Sequence, residues 1–391
     1  SNYYRRAASI SMVLEGLGFE QGDIERPVQE FSGGWQMRVA LAKVLLSHPD
    51  IILLDEPTNY LDIEARTWLE AWLLNFKGGY LLVSHDRYFL DVTTTETYEL
   101  WQGQLRRYAG SYSDYEKQRQ VELEGLVRRY QAQQEEIAKT EDFIRRFRYQ
   151  ATRAVMVQER VKRLEKLERI EIPENLKKIR LRFPEPPHSG RLVLRGYGLG
   201  RVYGQHRVIG KLDVSIEAGE KLLVVGKNGA GKSTLLRILA GIDSDYEGSF
   251  ELGTDVSIGY FSQDVAADLV GDTDILSWLE GRAPTALIPR LRDLLGAFLF
   301  RGDDIYKSLQ VLSGGEKSRL ALLSLLLRPV NLLILDEPTN HLDIHSKDVL
   351  LQALQDYPGT VIFVSHDQGF MQALSTRTLE LTRNGRHRMF L

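Results

Sequence analysis

The spacing of apolar positions divides the chain into two kinds of segment. From Leu123 onward, apolar residues return at 126/127, 130, 137, 144 and 147, with polar residues at 133/134 and 140/141. That helical period predicts an amphipathic helix. A second stripe runs through Ala154, Val157, Val161 and Leu164, and Pro173 lies past its end. "RFRYQATRA" at 146–154 joins the two, so the region reads as a helical hairpin. A first helix over 115–147 extends roughly 50 Å at about 1.5 Å per residue. Elsewhere apolar residues run continuously. Leu222–Val225 ahead of a glycine-rich loop, "NLLILDEP" from Asn331 and "VIFVSHD" ending at Asp367 predict buried strands. The most apolar stretch, ending at Asp336, is broken by Arg328, Pro329 and Asn331. It falls short of the roughly 20 apolar residues of a membrane span.

The chain also repeats itself. "FSGGWQMRVALAKVLLSHPDIILLDEPTNYLD" begins at Phe31, and "LSGGEKSRLALLSLLLRPVNLLILDEPTNHLD" begins at Leu312. One spacing of 281 positions relates Ser32 to Ser313, Asp55 to Asp336, Glu56 to Glu337, Asp62 to Asp343 and His85 to His366. A register held from Phe31 to His85 marks two copies of one half-domain. Only the second copy is preceded by "KLLVVGKNGAGKSTLLRILAG", Lys221 to Gly241. There, Lys232 lies 81 residues before Ser313. The same spacing before Ser32 falls ahead of residue 1, so the chain is expected to start inside its first copy, with a second phosphate loop encoded upstream.

Composition narrows the classes. The 391 residues are 43% hydrophobic and 26% charged, enough for two or three domains with sizeable cores. A net charge of −3 excludes a globally basic nucleic-acid binder and leaves room for a local basic patch. With no cysteine there are no disulfides and no thiolate zinc sites, which fits a reducing cytoplasm.

The glycine loop carries the first chemistry. Gly226, Lys227, Asn228, Gly229, Ala230, Gly231, Lys232, Ser233 and Thr234 stand between an apolar strand and a helical pattern, the context a phosphate-binding loop requires. The glycines let the backbone turn its N–H groups toward a phosphate, and the helix N-terminus adds positive potential. Lys232 can reach the β- and γ-phosphates, and Ser233 can hold Mg²⁺. At the end of the next predicted strand Asp336 can hold Mg²⁺, usually through water, and Glu337 can polarise an attacking water as general base. The bland alternative is a solvated Asp–Glu pair at a strand end. It loses to the phosphate loop upstream in the same domain.

On these motifs the chain resembles the ATP-binding cassette superfamily. With two cassettes in tandem, no membrane span and a charged linker, it resembles the ABC-F family of soluble proteins, and Ser32 to Trp35 read like the first signature of bacterial members. The resemblance covers nearly all of the chain. It implies an α/β fold of two P-loop cassette domains, the first partial (1–110), joined by a helical-hairpin linker (111–187) to a complete second cassette (188–391). It implies ATP hydrolysis with Mg²⁺. It implies that His366 contacts the γ-phosphate, that Gln263 in "IGYFSQD" senses Mg²⁺ and the attacking water, and that Tyr203 in "RVYGQH" stacks on adenine. It also implies head-to-tail pairing of the cassettes. Ser32, Gly33 and Gly34 then open a helix whose free N–H groups suit the γ-phosphate of an ATP held on Lys232, with Asp62 beside them. Ser313, Gly314, Gly315 and Asp343 would close a second site, flanked by Asp55 as metal ligand and by Glu56 and His85. One departure is Tyr60, which stands where the second copy has His341.

Charge along the predicted hairpin is uneven. Residues 116–144 hold five basic and seven acidic side chains. Residues 145–163 hold seven basic ones (Arg145, Arg146, Arg148, Arg153, Arg160, Lys162, Arg163) against Glu159, with Phe147 and Tyr149 interleaved. A basic tip with aromatics suits an RNA backbone and unstacked bases. A solvated coiled coil that only spaces two cassettes fits the composition equally. The ABC-F resemblance implies that the linker enters the ribosomal E site and approaches the P-site tRNA, so the ribosome, through rRNA and tRNA, is the expected partner. A structure-specific DNA-binding ATPase is the alternative, and a transporter ATPase subunit a more distant one.

Overall fold

The first copy turns its apolar pattern into helices laid against a two-stranded parallel ladder. Its elements are α1 (Asn2–Gly16), α2 (Gly33–Leu46), β1 (Ile51–Asp55), α3 (Ile63–Asn75), β2 (Gly79–Val83) and α4 (Arg87–Thr93). Ile51 pairs with Gly79, and Asp55 with Val83. Ile52 and Leu54 face a core built with Leu45, Leu69, Leu73 and Phe89. The computed structural model describes residues 2–101, 103–170, 184–204, 206–262, 269–382 and 385–390. They form two units, Ser1–Thr93 with Ile179–Leu391, and Thr94–Lys178.

The Thr94–Lys178 unit begins with an antiparallel hairpin of β3 (Glu96–Trp101) and β4 (Gln104–Ala109) and continues into α5 (Tyr112–Phe147). This helix starts three residues earlier than the apolar stripe predicts, because Ser111 caps it and accepts from the Asp114 amide. Its 36 residues extend about 54 Å. Polar contacts fix its base to the hairpin. Tyr115 donates to Glu99 at 3.0 Å, Tyr108 donates to Glu122 at 3.1 Å, and Arg119 lies 2.9 Å from Glu99. The return helix α6 (Ala154–Glu165) packs back on α5, with Val157 and Ile137 buried. Gln133 ties it further, donating to the Glu168 carbonyl and accepting from the Ile170 amide. Pro173 lies outside the described residues.

The second copy contains a strand–loop–helix that the described first copy does not. Antiparallel β5 (Leu192–Tyr203), β6 (His206–Glu217) and β8 (Glu247–Leu252) form one sheet. A six-stranded sheet has the order β13-β12-β7-β11-β10-β9, with β7 (Lys221–Val225), β9 (Ile258–Phe261), β10 (Leu332–Asp336), β11 (Thr360–Val364), β12 (Arg377–Leu381) and β13 (His387–Phe390). It is parallel except for β13. Helices α7 (Lys232–Leu239), α8 (Ile275–Glu280), α9 (Leu291–Ala297), α10 (Gly314–Leu326), α11 (Ile344–Asp356) and α12 (Gln368–Leu374) cover it. The loops after β7, β10 and β11 emerge at the strands' carboxyl ends, where open parallel sheets place their ligands.

β10 and β11 repeat the ladder of β1 and β2, with Leu332 opposite Thr360. Burial differs. β10 and β11 are buried along their whole length, and Leu332, Ile334, Ile362 and Val364 pack with Leu235, Leu236 and Leu239 of α7. At the matching positions Ile51, Leu53, Leu81 and Val83 are 69%, 74%, 57% and 53% exposed. The face covered around α7 in the second copy is open in the first.

Candidate active site

β7 delivers its chain into a loop that only glycine can follow. Gly226 has φ 153° and Gly231 has φ 95°. A Cβ on Gly226 would lie 2.4 Å from the Leu381 carbonyl, and one on Gly231 2.4 Å from Val208. The loop closes over Lys232, whose ammonium donates to the carbonyls of Gly226 at 2.7 Å and Lys227 at 3.3 Å. Burial lowers the Lys232 pKa, while Glu337, Asp62 and Asp336 act against that shift. Lys232 and Ala230 are buried, and Ser233 is exposed at the helix start.

Asp336 ends β10, and Glu337 follows in the left-handed region with φ 51°. Its amide is held by the Val364 carbonyl at 3.0 Å. Glu56 repeats this, with φ 47° and its amide 2.8 Å from the Val83 carbonyl. A side chain bulkier than glycine adopts such a backbone only when its surroundings impose it, and carboxylates so held cluster at working sites. Glu337 accepts from the His366 amide at 3.2 Å, and His366 Nε2 lies 3.1 Å from Glu337 Oε1. That second contact lacks hydrogen-bond geometry. Among the described residues Glu337 Oε1 and, on the other side of the ring, His366 Nδ1 are buried polar atoms without hydrogen-bond partners, as is Glu56 Oε1. Burial, with the Asp336 carboxylate second, pushes Glu337 up to about 8. Burial, with Lys232 second, pushes His366 down to about 4 and keeps its ring neutral at pH 7.

The first copy supplies the opposite wall. A cavity of about 900 Å³ is lined by Ser32 and Gly34 from one copy and by Tyr203, Lys232, Glu337 and His366 from the other. Asn228, Gly229, Gly231, Ser233, Thr234 and Asp336 line it too, and so do Glu56, His85 and Gly315. Ser32 stands at the N-cap of α2 without a side-chain cap bond, whereas Ser313 caps α10 reciprocally with Glu316. The third helical residue is Trp35 in one copy and Glu316 in the other, so only the second copy has a side chain that can return a bond to the N-cap amide. The Ser32 hydroxyl therefore has no capping duty. Tyr203 carries the Arg201 guanidinium over its ring at 4.5 Å.

Other candidates support the cavity without lining it. Gly33, Gly226 and Ala230 belong to the loops behind it. Lys227 turns to Glu64 at 2.7 Å. Asp62 and Asp343 cap α3 and α11. Asp55 is exposed at the end of β1, and Ser313 and Gly314 lie at the start of α10. Gln263 lies outside the described residues. Motif reading missed Arg38, which is buried and donates to the Tyr60 carbonyl at 2.6 Å and the Leu17 carbonyl at 2.9 Å. Arg319 repeats the first contact, donating to the His341 carbonyl at 3.2 Å. The constant 281-position spacing was the signal that could have found this pair. Tyr60 and His341 themselves share a left-handed backbone, with φ 67° and 64°.

At the far end of the hairpin the basic residues fall into three groups. Arg145 and Arg146 pair with Asp142, and Arg163 pairs with Glu136. Arg153 lies over Phe147 and Arg160 over Phe143, each at 4.0 Å. Arg148 and Lys162 make no side-chain hydrogen bond or ion pair among the described residues. Tyr149 is 93% exposed.

Known proteins resemble the chain over nearly its whole length. Two family descriptions, both reading ABC transporter, match the chain, one over residues 4–59 and 209–340 and the other over 98–183. The chain is similar to YdiF of Bacillus subtilis, 43% identical over 381 residues, covering 97% of this chain and 59% of that protein. It is similar to ABC transporter F family member 2 of Arabidopsis thaliana, 39% identical, covering 97% of this chain and 56% of that one. It is also similar to YbiT of Escherichia coli O157:H7, 37% identical, covering 97% of this chain and 72% of that protein. Among solved structures, RNase-L Inhibitor shares the fold with a TM-score of 0.66 at 23% identity, over 98% of this chain and 68% of that one. No helix among the described residues is long and apolar enough to cross a membrane.

Proposed function

Since the chain belongs to the ABC-F family, we propose that it hydrolyses ATP between its two copies and couples that cycle to the ribosome. The observation that carries the first part is the shared cavity, in which Ser32 and Gly34 face Lys232, Glu337 and His366. Lys232 holds the β- and γ-phosphates, and the glycine loop gives them backbone N–H groups. Ser233 and Asp336, with Gln263, would hold Mg²⁺, which would neutralise phosphate charge. Glu337, which a cation held beside Asp336 would draw back toward its ionised form, orients and polarises the attacking water as general base. His366, kept neutral by burial, presents its ring to the γ-phosphate from the cavity wall. The uncommitted Ser32 hydroxyl and the first amides of α2 complete the cage from the other copy. Adenine stacks on the face of Tyr203 away from Arg201. Glu56, His85, Asp55, Asp343 and Ser313 to Gly315 serve a second site of the same design.

The ribosomal part rests on the hairpin. A helix of about 54 Å carries the basic tip well away from its base, and Arg148, Lys162 and exposed Tyr149 are unengaged there. They contact rRNA and tRNA, in the E site and toward the P-site tRNA, in the ATP-closed state and in the cytoplasm. Ribosome pelleting in ATP against ADP tests this. Co-sedimentation in ATP that is lost in ADP is expected. Pelleting indifferent to nucleotide, or trapping on branched DNA instead, overturns it.

A further inference from the structure

Each copy sends one cation into the histidine segment of the other. Arg66 sits in the first turn of α3, its side chain 3% exposed. It donates to the His366 carbonyl at 3.1 Å, and it binds Asp86, the residue after His85, at 3.0 Å. Lys347, at the matching position in α11, donates to the His85 carbonyl at 2.9 Å and to Asp367, the residue after His366, at 3.0 Å. Arg66 and Lys347 are 281 positions apart, the spacing of the repeat. Each cation therefore bridges both histidine segments, and the two bridges cross.

The partners are fixed in turn. Asp86 accepts from the Phe89 amide and Asp367 from the Phe370 amide, both at 3.0 Å, so each carboxylate also starts the helix behind its histidine. Glu70 takes a third Arg66 bond at 3.1 Å. The His366 main chain is thus gripped at its amide by Glu337 and at its carbonyl by Arg66.

We propose that Arg66 and Lys347 are positioning residues for the histidine of the opposite copy, so that hydrolysis at each site depends on a cation supplied by the other copy. Both side chains reach the cavity wall, and their hydrogen bonds go to backbone carbonyls and to Glu70, Asp86 and Asp367 rather than to Glu337, Glu56 or a histidine ring. Each sets the backbone from which a histidine reaches the γ-phosphate, and a displacement of about 1 Å there costs up to about a hundredfold in rate. Because each cation also holds the segment of its own copy, movement of one histidine is transmitted to the other. The inference rests on ATP hydrolysis at this cavity and is independent of the ribosomal role.

The test is single-turnover hydrolysis and ATP affinity in the full-length protein, with one site silenced at a time. In a Glu56→Gln background, which leaves the His366 site active, Arg66→Met should slow hydrolysis by about tenfold or more, with ATP affinity held within about twofold. Arg66→Lys should restore the rate to within about threefold, because Lys347 already performs the equivalent task with an ammonium. In a Glu337→Gln background Lys347→Met should slow the remaining site in the same way. Arg66→Met leaves Glu70 buried without its partner, so Arg66→Met with Glu70→Gln is measured beside it, with the melting temperature as the folding control. Equal rates for Arg66→Met and Arg66→Lys overturn the inference, as does ATP affinity falling in step with rate, or each variant acting only on its own copy's histidine. Absence of hydrolysis in the Glu56→Gln parent itself would instead remove the proposed ATPase function.

Discussion

Lys221 begins the strand that feeds the phosphate loop, and its ammonium is buried, 7% exposed. It donates to the carbonyls of Tyr357 at 2.6 Å and Gly359 at 2.8 Å and lies over the Tyr357 ring, with no carboxylate among its hydrogen-bond partners. Burial lowers its pKa from 10.5 to about 8. That gap corresponds to roughly 3 kcal/mol. Below about pH 8 the folded and unfolded chains both hold the proton and the cost is constant. Between about 8 and 10.5 the unfolded chain binds more protons than the folded one, so this residue makes stability rise with pH by roughly that amount. Lys221→Met removes the charge and keeps an unbranched stem in the slot. At neutral pH the change combines relief of the buried charge with loss of two hydrogen bonds to carbonyls, terms of similar size and opposite sign. The pH dependence is the sharper quantity, because every other titrating group is common to both proteins and cancels in the difference. Urea unfolding from neutral pH to about pH 10 should show wild type gaining on the variant by roughly 3 kcal/mol. A wild-type-minus-variant difference that stays flat with pH refutes the reasoning.

Three further outcomes follow from the proposed site. Lys232→Ala should abolish nucleotide binding at the cavity, measured with a fluorescent ATP analogue while the second site is disabled. Ser32→Arg should leave that binding in place and lower hydrolysis there by about a hundredfold, since it fills the γ-phosphate side from the opposite copy; normal turnover would rule out head-to-tail pairing. Glu337→Gln with Glu56→Gln in the full-length protein should bind ATP, remain closed, pellet with ribosomes and slow growth. Adding Arg146→Glu, Arg148→Glu and Arg153→Glu should weaken that pelleting and flatten its salt dependence, with basal ATPase intact when only the arginines are changed; pelleting that ignores all three reversals would make the hairpin a spacer.

Local signals in the sequence determined a large part of this protein. The glycine loop, the Asp–Glu pairs and the helical stripes are each read within a few dozen residues and follow from periodicity or backbone chemistry, and the repeat is read by setting two such segments, 281 positions apart, side by side. The first helix of the hairpin was legible to within three residues, the difference being the Ser111 cap. Tertiary structure decided what these parts do to one another. Ile51 and Leu53 read like Leu332 and Ile334, yet one pair is exposed and the other buried, because burial depends on the neighbour across the face and not on the strand's own residues. Ser32 and Ser313 stand at matching N-caps, yet only Ser313 accepts a cap bond, a difference of loop geometry that the shared Ser-Gly-Gly does not reveal. The left-handed backbone of Glu56 and Glu337 is imposed by the strands beside them. The bond from Arg66 to His366 spans 300 positions, and Arg66 belongs to none of the motifs that the sequence sets apart. No periodicity reaches that far. Only the folded chain brings a cation of one copy to the histidine of the other.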